Sequence, residues 1–288
     1  MTMLRIGDLE IHVLLESLTY ADGGGAFGLV PKAMWAREMP PDADNLVPMH
    51  QHALLLRAGG KTILIDTGIG SKMPPKWQEI WRLSWPRGSL AQSLARLDLT
   101  PADIDLVIDT HLHNDHCGGN TMLDEQGVLQ PAFPNAVYVV QRREYEDAMR
   151  PNERTRASYI PANYAPLVES GQMRLLDGDV EIAPGVFGVV TPGHTPGHMS
   201  IRFESGGEHG LFTCDMATYS VHFEKLGWMT AYDVEPLITL ETKRRWQQWA
   251  LETNALLIFP HDPLRPAARL KAVEGGRPAL QAVDVTFV

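Results

Sequence analysis

Residues 109–120 read Asp-Thr-His-Leu-His-Asn-Asp-His-Cys-Gly-Gly-Asn, and within this stretch His111, His113, Asp115 and His116 fall inside six positions. Just upstream, Leu106-Val107-Ile108 is a short apolar, β-branched run that reads as a buried strand. Gly118-Gly119 downstream reads as a turn. The fold must therefore end a strand in a loop that aims four ligand-type side chains into a cleft. Imidazole and carboxylate together suit zinc and its first-row neighbours, not calcium or magnesium. His111 and His113 are two apart and point the same way on extended backbone, whereas Asp115 and His116 diverge unless the chain turns. Such a cluster can serve two metal ions.

The rest of the chain alternates sheet and helix signals. Residues 3–16 read as an opening pair of strands or one bent strand. Residues 52–57 and 61–66 flank Ala58-Gly59-Gly60, a hairpin signature. Asp66, at the end of that hairpin, suits a carboxylate that orients a ligand histidine, with a plain turn-forming role as the competing reading. Three Pro-rich stretches, 19–50, 71–88 and 151–170, read as loop insertions. In the second, the spacing of Trp77, Trp81 and Trp85 predicts one face of a short helix. Ser89 to Leu97 reads as a helix, Thr100-Pro101 as a cap followed by proline, 136–140 as a strand, and 142–149 as a helix stopped by Pro151. Strands follow at 173–176, 186–190, 199–203 and 210–214. A long helix over 235–252 carries Leu237, Leu240, Trp246, Trp249 and Ala250 as its apolar stripe. Residues 255–259 read as the last strand, with a short helix and an irregular end after 263. Strands then helix, twice over, predict a two-sheet sandwich with helices outside, as one domain over 1–288.

Composition narrows the function. The formal net charge is −10 and there is no basic run, which disfavours a nucleic-acid partner. No segment has the length or apolarity of a membrane span or signal peptide, and two cysteines make no disulfide framework. A cytoplasmic protein with no membrane partner is the expectation, and a homodimer is a possibility left open by the aromatic loops.

Three more strand ends carry ligand chemistry. Thr191-Pro-Gly-His194-Thr-Pro-Gly-His198 follows the 186–190 strand, with His194 fixed by its glycines and prolines. Asp215 follows the 211–214 run, and His261 follows 255–259.

The HLHNDH cluster, the TPGHTPGH turn, the strand-terminal Asp215, the late His261 and the ILIDTG strand together resemble the metallo-β-lactamase superfamily of metal-dependent hydrolases, over roughly residues 5–265. The resemblance implies an α/β, four-layer αββα sandwich with metals at one edge. It implies that His111, His113 and His194 hold one divalent ion and that Asp115, His116 and His261 hold a second. Asp215 would bridge them. Zinc is the expected metal, with Mn, Co or Fe as alternatives, and a bridging hydroxide would be the nucleophile. His198 would support the turn. His50, His52, His209 and His222 match no ligand position and read as surface or packing histidines. Cys117 and Cys214 read as buried small hydrophobes. Asp115, Asp215 and Tyr219 are the candidate catalytic side chains, Tyr219 as an oxyanion donor or a pocket wall. Related lactonases carry a tyrosine three residues after the equivalent aspartate, where this chain has Thr218.

Asp215 stands where true zinc β-lactamases have cysteine, and His113 where flavodiiron proteins have glutamate. The segment 22–35 and Tyr232-Asp233 look like the branch holding N-acyl-homoserine lactonases and methyl-parathion-type hydrolases. Hydrolysis of a lactone or carboxylic ester, such as an aryl ester, is the leading expectation. An organophosphate triesterase, a glyoxalase II-like thioesterase and a non-catalytic, metal-retaining ligand sensor are the alternatives.

Overall fold

Successive strand residues bury alternate sides. Leu54, Leu56, Ile63, Ile65, Leu106 and Ile108 share one apolar cluster with Ile201, Phe203, Phe212, Leu256 and Ile258. Their neighbours Ala53, Leu55, Leu64 and Val107 turn the other way, to Leu94, Ile104 and Leu167. Leu211, Leu257 and Ala268 likewise meet Trp246 and Ala250 on a third cluster. A sheet apolar on both faces has to be covered on both, so the layers run helix, sheet, sheet, helix. The computed structural model describes residues 3–288 in this arrangement.

The chain opens with β1 (Leu4–Ile6), β2 (Leu9–Asp22), β3 (Leu46–Ala58), β4 (Lys61–Ile65) and β5 (Leu106–Ile108). A small ribbon, β6 (Thr121–Leu123) and β7 (Leu129–Pro131), precedes β8 (Val137–Gln141) and β9 (Met173–Leu176). The first sheet has the order β1-β2-β3-β4-β5-β8-β9, antiparallel as far as β4 and parallel beyond. The second sheet comprises β10 (Val180–Ala183), β11 (Val186–Val190), β12 (Met199–Ser205), β13 (Glu208–Phe212), β14 (Leu256–Ile258), β15 (Ala267–Lys271) and β16 (Ala279–Ala282). These lie side by side in chain order, and only β13 and β14 pair in parallel. The ends of β4, β5, β11, β13 and β14 converge on one edge, where every candidate ligand lies.

Several sequence expectations are corrected. The 19–50 stretch is less irregular than its prolines suggest. β2 and β3 stay paired to Asp22 and Leu46, with Pro48 opposite Tyr20. Pro48 is tolerated because β3 pairs with β4 only from Leu54 onward, which leaves that side of the proline without a ladder to complete. Helices Gly23–Phe27 and Lys32–Trp35 fill the gap, the first capped by the Asp22 carboxylate on the Gly24 and Gly25 amides. The three tryptophans do not share a helix face. Helix Pro75–Ile80 stops before Trp81, and Arg82 takes a left-handed φ of 47°. Helix Pro236–Thr253 buries Thr239, Lys243, Trp246, Gln247 and Ala250, while Leu237 is 78% exposed. Lys243 is buried because its ammonium donates to the carbonyls of His222 and Trp228. Residues 255–259 are not the last strand. The tail forms β15 and β16, whose Ala-Ala-Arg-Leu-Lys sequence has low strand propensity and is held by pairing with β14. β10 adds a strand to the four expected between 173 and 214. Among the described residues no helix is long and apolar enough to cross a membrane.

Candidate metal centre

After β5 the chain runs extended through His111 and His113, then makes one helical turn, Asn114–Cys117. That turn is the backbone change the spacing required, and it swings Asp115 and His116 onto the same centre as the two earlier histidines. Donor atoms of His111, His113 and His194 lie within 4.8 Å of one another, as do those of Asp115, His116 and His261, and those of His111, His116 and Asp215. Asp215 stands between the sets. Its Oδ2 is 3.2 Å from His194 Nε2 and 3.5 Å from His116 Nε2, and its Oδ1 is 3.1 Å from His261 Nε2. Asp115 Oδ2 lies 3.9 Å from His116 Nε2 and 4.0 Å from His261 Nε2.

Hydrogen bonding on the far side of the rings fixes what they present here. His194 Nδ1 sits 2.9 Å from Asp233 Oδ1, His116 Nδ1 2.9 Å from Asp66 Oδ2, and His261 Nδ1 2.7 Å from the His50 carbonyl. Carbonyls and carboxylates accept, so each Nδ1 carries a proton, and whenever the ring is neutral its lone pair is turned inward at Nε2. Those inward nitrogens face one another: His261 Nε2 and His116 Nε2 at 3.0 Å, His194 Nε2 and His113 Nδ1 at 3.0 Å. His111 Nε2 and Asp215 Oδ1 are buried with no hydrogen-bond partner. Nitrogens at that separation need a proton or a metal cation between their lone pairs. The donor set therefore fits first-row divalent cations.

Proton affinities tell the same story. Burial and neighbouring imidazoles push His111 and His113 well below the ordinary histidine range. Burial opposes the charged form of His116 too, yet Asp115, Asp215 and Asp66 hold it well above. His194 is likewise raised against its burial by Asp215 and Asp233. Asp215 lies well below the carboxylate range despite burial, because His261, His194 and His116 face it. Asp109, behind the cluster, is pushed up by burial and by Asp66, and is held by both of its oxygens on Asn120 Nδ2. The carboxylates demand positive charge at this edge, from protons or from metal.

Backbone strain accompanies the ligands. Cys214, immediately before Asp215, has φ 48°, and Asp66 has φ 56°. For cysteine the left-handed region costs on the order of 1–3 kcal/mol. His198 over-determines the turn, accepting from the Asp215 amide at 3.0 Å while its other nitrogen lies 2.8 Å from Thr191 Oγ1. This is the support role expected for it. In the TPGHTPGH turn a Cβ on Gly197 would come within 2.2 Å of the Glu144 amide nitrogen, so only glycine fits.

The remaining candidates divide. Cys117 and Cys214 are fully buried thiols donating to the Leu112 and Phe212 carbonyls, as expected of packing residues. His52 and His222 are buried, and His50 acts through its carbonyl on His261. Tyr219 is fully buried, stacks 5.7 Å from Phe27, and donates its hydroxyl proton to the Pro48 carbonyl at 3.2 Å. That bond commits the donor. Its hydroxyl is engaged with the Pro48 carbonyl, and the residue has no exposed surface. Asp66 hydrogen-bonds the His116 ring and also accepts from the Thr110 amide and hydroxyl. Glu144 was missed, and Asp233 was read only as part of the branch resemblance and not as a partner of His194, because an acidic residue inside a turn or helix carries no local sign of a distant partner.

The chain matches the family described as the Metallo-beta-lactamase superfamily over residues 46–252. It belongs to that superfamily. An N-acyl homoserine lactonase of Bacillus sp is 32% identical over 171 residues, which is 59% of this chain and 60% of that protein. The match thus spans about 60% of that relative's length. The N-acyl homoserine lactonase AttM of Azorhizobium caulinodans is 30% identical over 239 residues, 77% of this chain and 84% of the relative. Among solved structures, a probable metal-dependent hydrolase from Staphylococcus aureus superposes with a TM-score of 0.87 at 29% identity, covering 98% of this chain and 100% of the other.

Proposed function

We propose that the chain, acting as one unit, is a metal-dependent hydrolase that opens the lactone of N-acyl homoserine lactones or a similar carboxylic ester at a two-metal centre. The observation that carries this reading is Asp215, with one carboxylate oxygen turned to His194 and His116 and the other to His261. His111, His113 and His194 would hold one divalent ion, and Asp115, His116 and His261 the other. Zinc is the first choice on donor chemistry. Bound there, such a pair lowers the pKa of water towards neutrality and polarises the acyl oxygen.

The chain's own groups do the rest. Asp66, Asp233 and the His50 carbonyl keep His116, His194 and His261 in the tautomer that leaves Nε2 bare. Asp115 is the ligand-set side chain most open to solvent, 22% exposed against 5% for Asp215. Its carboxylate can take the proton released as water adds to the acyl carbon and return it to the leaving alkoxide. The relatives named N-acyl homoserine lactonase support a lactone over a phosphotriester.

Metal-depleted protein should lose turnover on acyl lactones and regain it with zinc, manganese or cobalt. Lactone, aryl ester, thioester and phosphotriester substrates, assayed side by side with metal analysis, test the assignment. Unchanged turnover after verified metal loss sinks it, and faster turnover of the triester moves it to the organophosphate hydrolases.

A further inference from the structure

Glu144 is fully buried at the start of helix Arg142–Met149, outside every ligand set. Its Oε1 accepts from the Leu112 amide at 3.0 Å and from the Tyr159 hydroxyl at 2.9 Å, and its Oε2 accepts from Thr195 Oγ1 at 2.6 Å. Leu112 lies between His111 and His113. Thr195 adjoins His194. Tyr159 belongs to the 151–170 insertion, bridges His113 through the backbone, and sets its ring 5.0 Å from that imidazole. One carboxylate therefore ties together three segments far apart in sequence, and the histidines beside those ties are His111, His113 and His194. Nothing comparable reaches from Glu144 to Asp115, His116 or His261.

We propose that Glu144 is a positioning residue for the His111–His113–His194 set, holding its two loops and the 151–170 insertion at one distance. The proposal rests on the metal reading above. A group that orients ligands in this way is worth about 10–100-fold in metal affinity. Glutamine can keep the clamp, because its oxygen still accepts from Leu112 and Tyr159 and its amide can donate to a reversed Thr195 hydroxyl.

The test is zinc affinity of the full chain, by competition with a chromophoric chelator, in two single-set backgrounds. His261→Ala leaves the first set intact, and His111→Ala leaves the second. Added to His261→Ala, Glu144→Ala should weaken zinc by about 10–100-fold, and Glu144→Gln should restore most of it. Added to His111→Ala, Glu144→Ala should leave zinc affinity unchanged. Equal weakening in both backgrounds means general loosening of the fold and overturns the proposal, as does no weakening in either. Should Glu144→Ala not fold, Tyr159→Phe and Thr195→Val remove one tie each and must show the same asymmetry. Wild-type protein that takes up no zinc overturns the metal reading beneath.

Discussion

The two halves of the centre are built in opposite ways. The first sheet delivers His111, His113, Asp115 and His116 from one loop, and a single helical turn divides them between the two sets. The second sheet delivers His194, Asp215 and His261 from three separate strand ends, so their convergence depends on the register of β11, β13 and β14. Local chain geometry assembles one half, and sheet pairing assembles the other. Each half then needs anchors from elsewhere: Asp66 for His116 on the first side, Asp233 and His198 for His194 and Asp215 on the second.

The largest effect should come from the residue common to both halves. Asp215→Ala removes the carboxylate shared by the two sets, so both ions should weaken and lactone turnover should fall to background. His111→Ala and His261→Ala should each empty mainly one position, read as metal per protein after dialysis. Loss of both ions in every one of these variants breaks the division of labour described here.

The anchors give the next effect. Asp66→Asn should loosen the ion beside His116, and Asp233→Asn the ion beside His194, each by about 10–100-fold in affinity. Cobalt titration followed by absorption would read the two events separately. Identical spectra for the two variants would remove the case for independent anchoring.

The same contrast explains what could be read from the sequence. The ligand loop, the hairpin at Gly59-Gly60, the helix beginning at Ser89 and the 142–149 helix all carry their information within a few residues. His194, Asp215 and His261 were legible because each follows an apolar run, and the family resemblance grouped them. Asp233, Glu144 and the His50 carbonyl act across 39, 32 and 211 residues, where no local pattern marks the partner. The apolar stripe of the last helix was misplaced for a related reason. Lys243 lies on the buried face because helix Ser220–Glu224 and the loop after it supply the His222 and Trp228 carbonyls to its ammonium.

Acid should separate the two sides as well. On the second side, burial and then the Lys243 cation bring His222 down to about 3 from 6.5. The unfolded chain binds the extra proton between these values, so this group costs stability as pH falls from 6.5 towards 3, by about 1.4 kcal/mol per pH unit. On the first side, Glu16 sits at a bulge in β2, accepts from the Ile69 and Gly70 amides, and is pushed up by burial. Its sign is opposite. The folded chain holds that proton more tightly, so its contribution is greatest below 4.5 and is lost as pH rises through the folded value. Urea unfolding of metal-free protein across pH should therefore show His222→Leu flattening the acid limb, and Glu16→Gln, which also puts an NH2 in place of one of the two accepting oxygens, flattening the loss of stability as pH rises. A pH dependence unchanged from the wild type in either variant would contradict the burial argument.

The smallest effect lies in the outer helical layer. Ser89 caps helix Leu90–Ala95, taking the Gln92 amide at 3.3 Å while the Gln92 side chain returns to the Ser89 amide at 2.9 Å. Leu94 of that helix packs on the outer face of the first sheet, with Leu55, Leu64 and Val107. Ser89→Ala should cost about 1 kcal/mol, seen as a small fall in melting temperature of the metal-free protein. Zinc affinity should not change, because the cap supports the outer face of the sheet and the ligands leave from its edge. A drop in affinity comparable to that of Asp66→Asn would mean that helix packing reaches the ligand loop through β5, and the edge could no longer be treated as organised by its own hydrogen bonds.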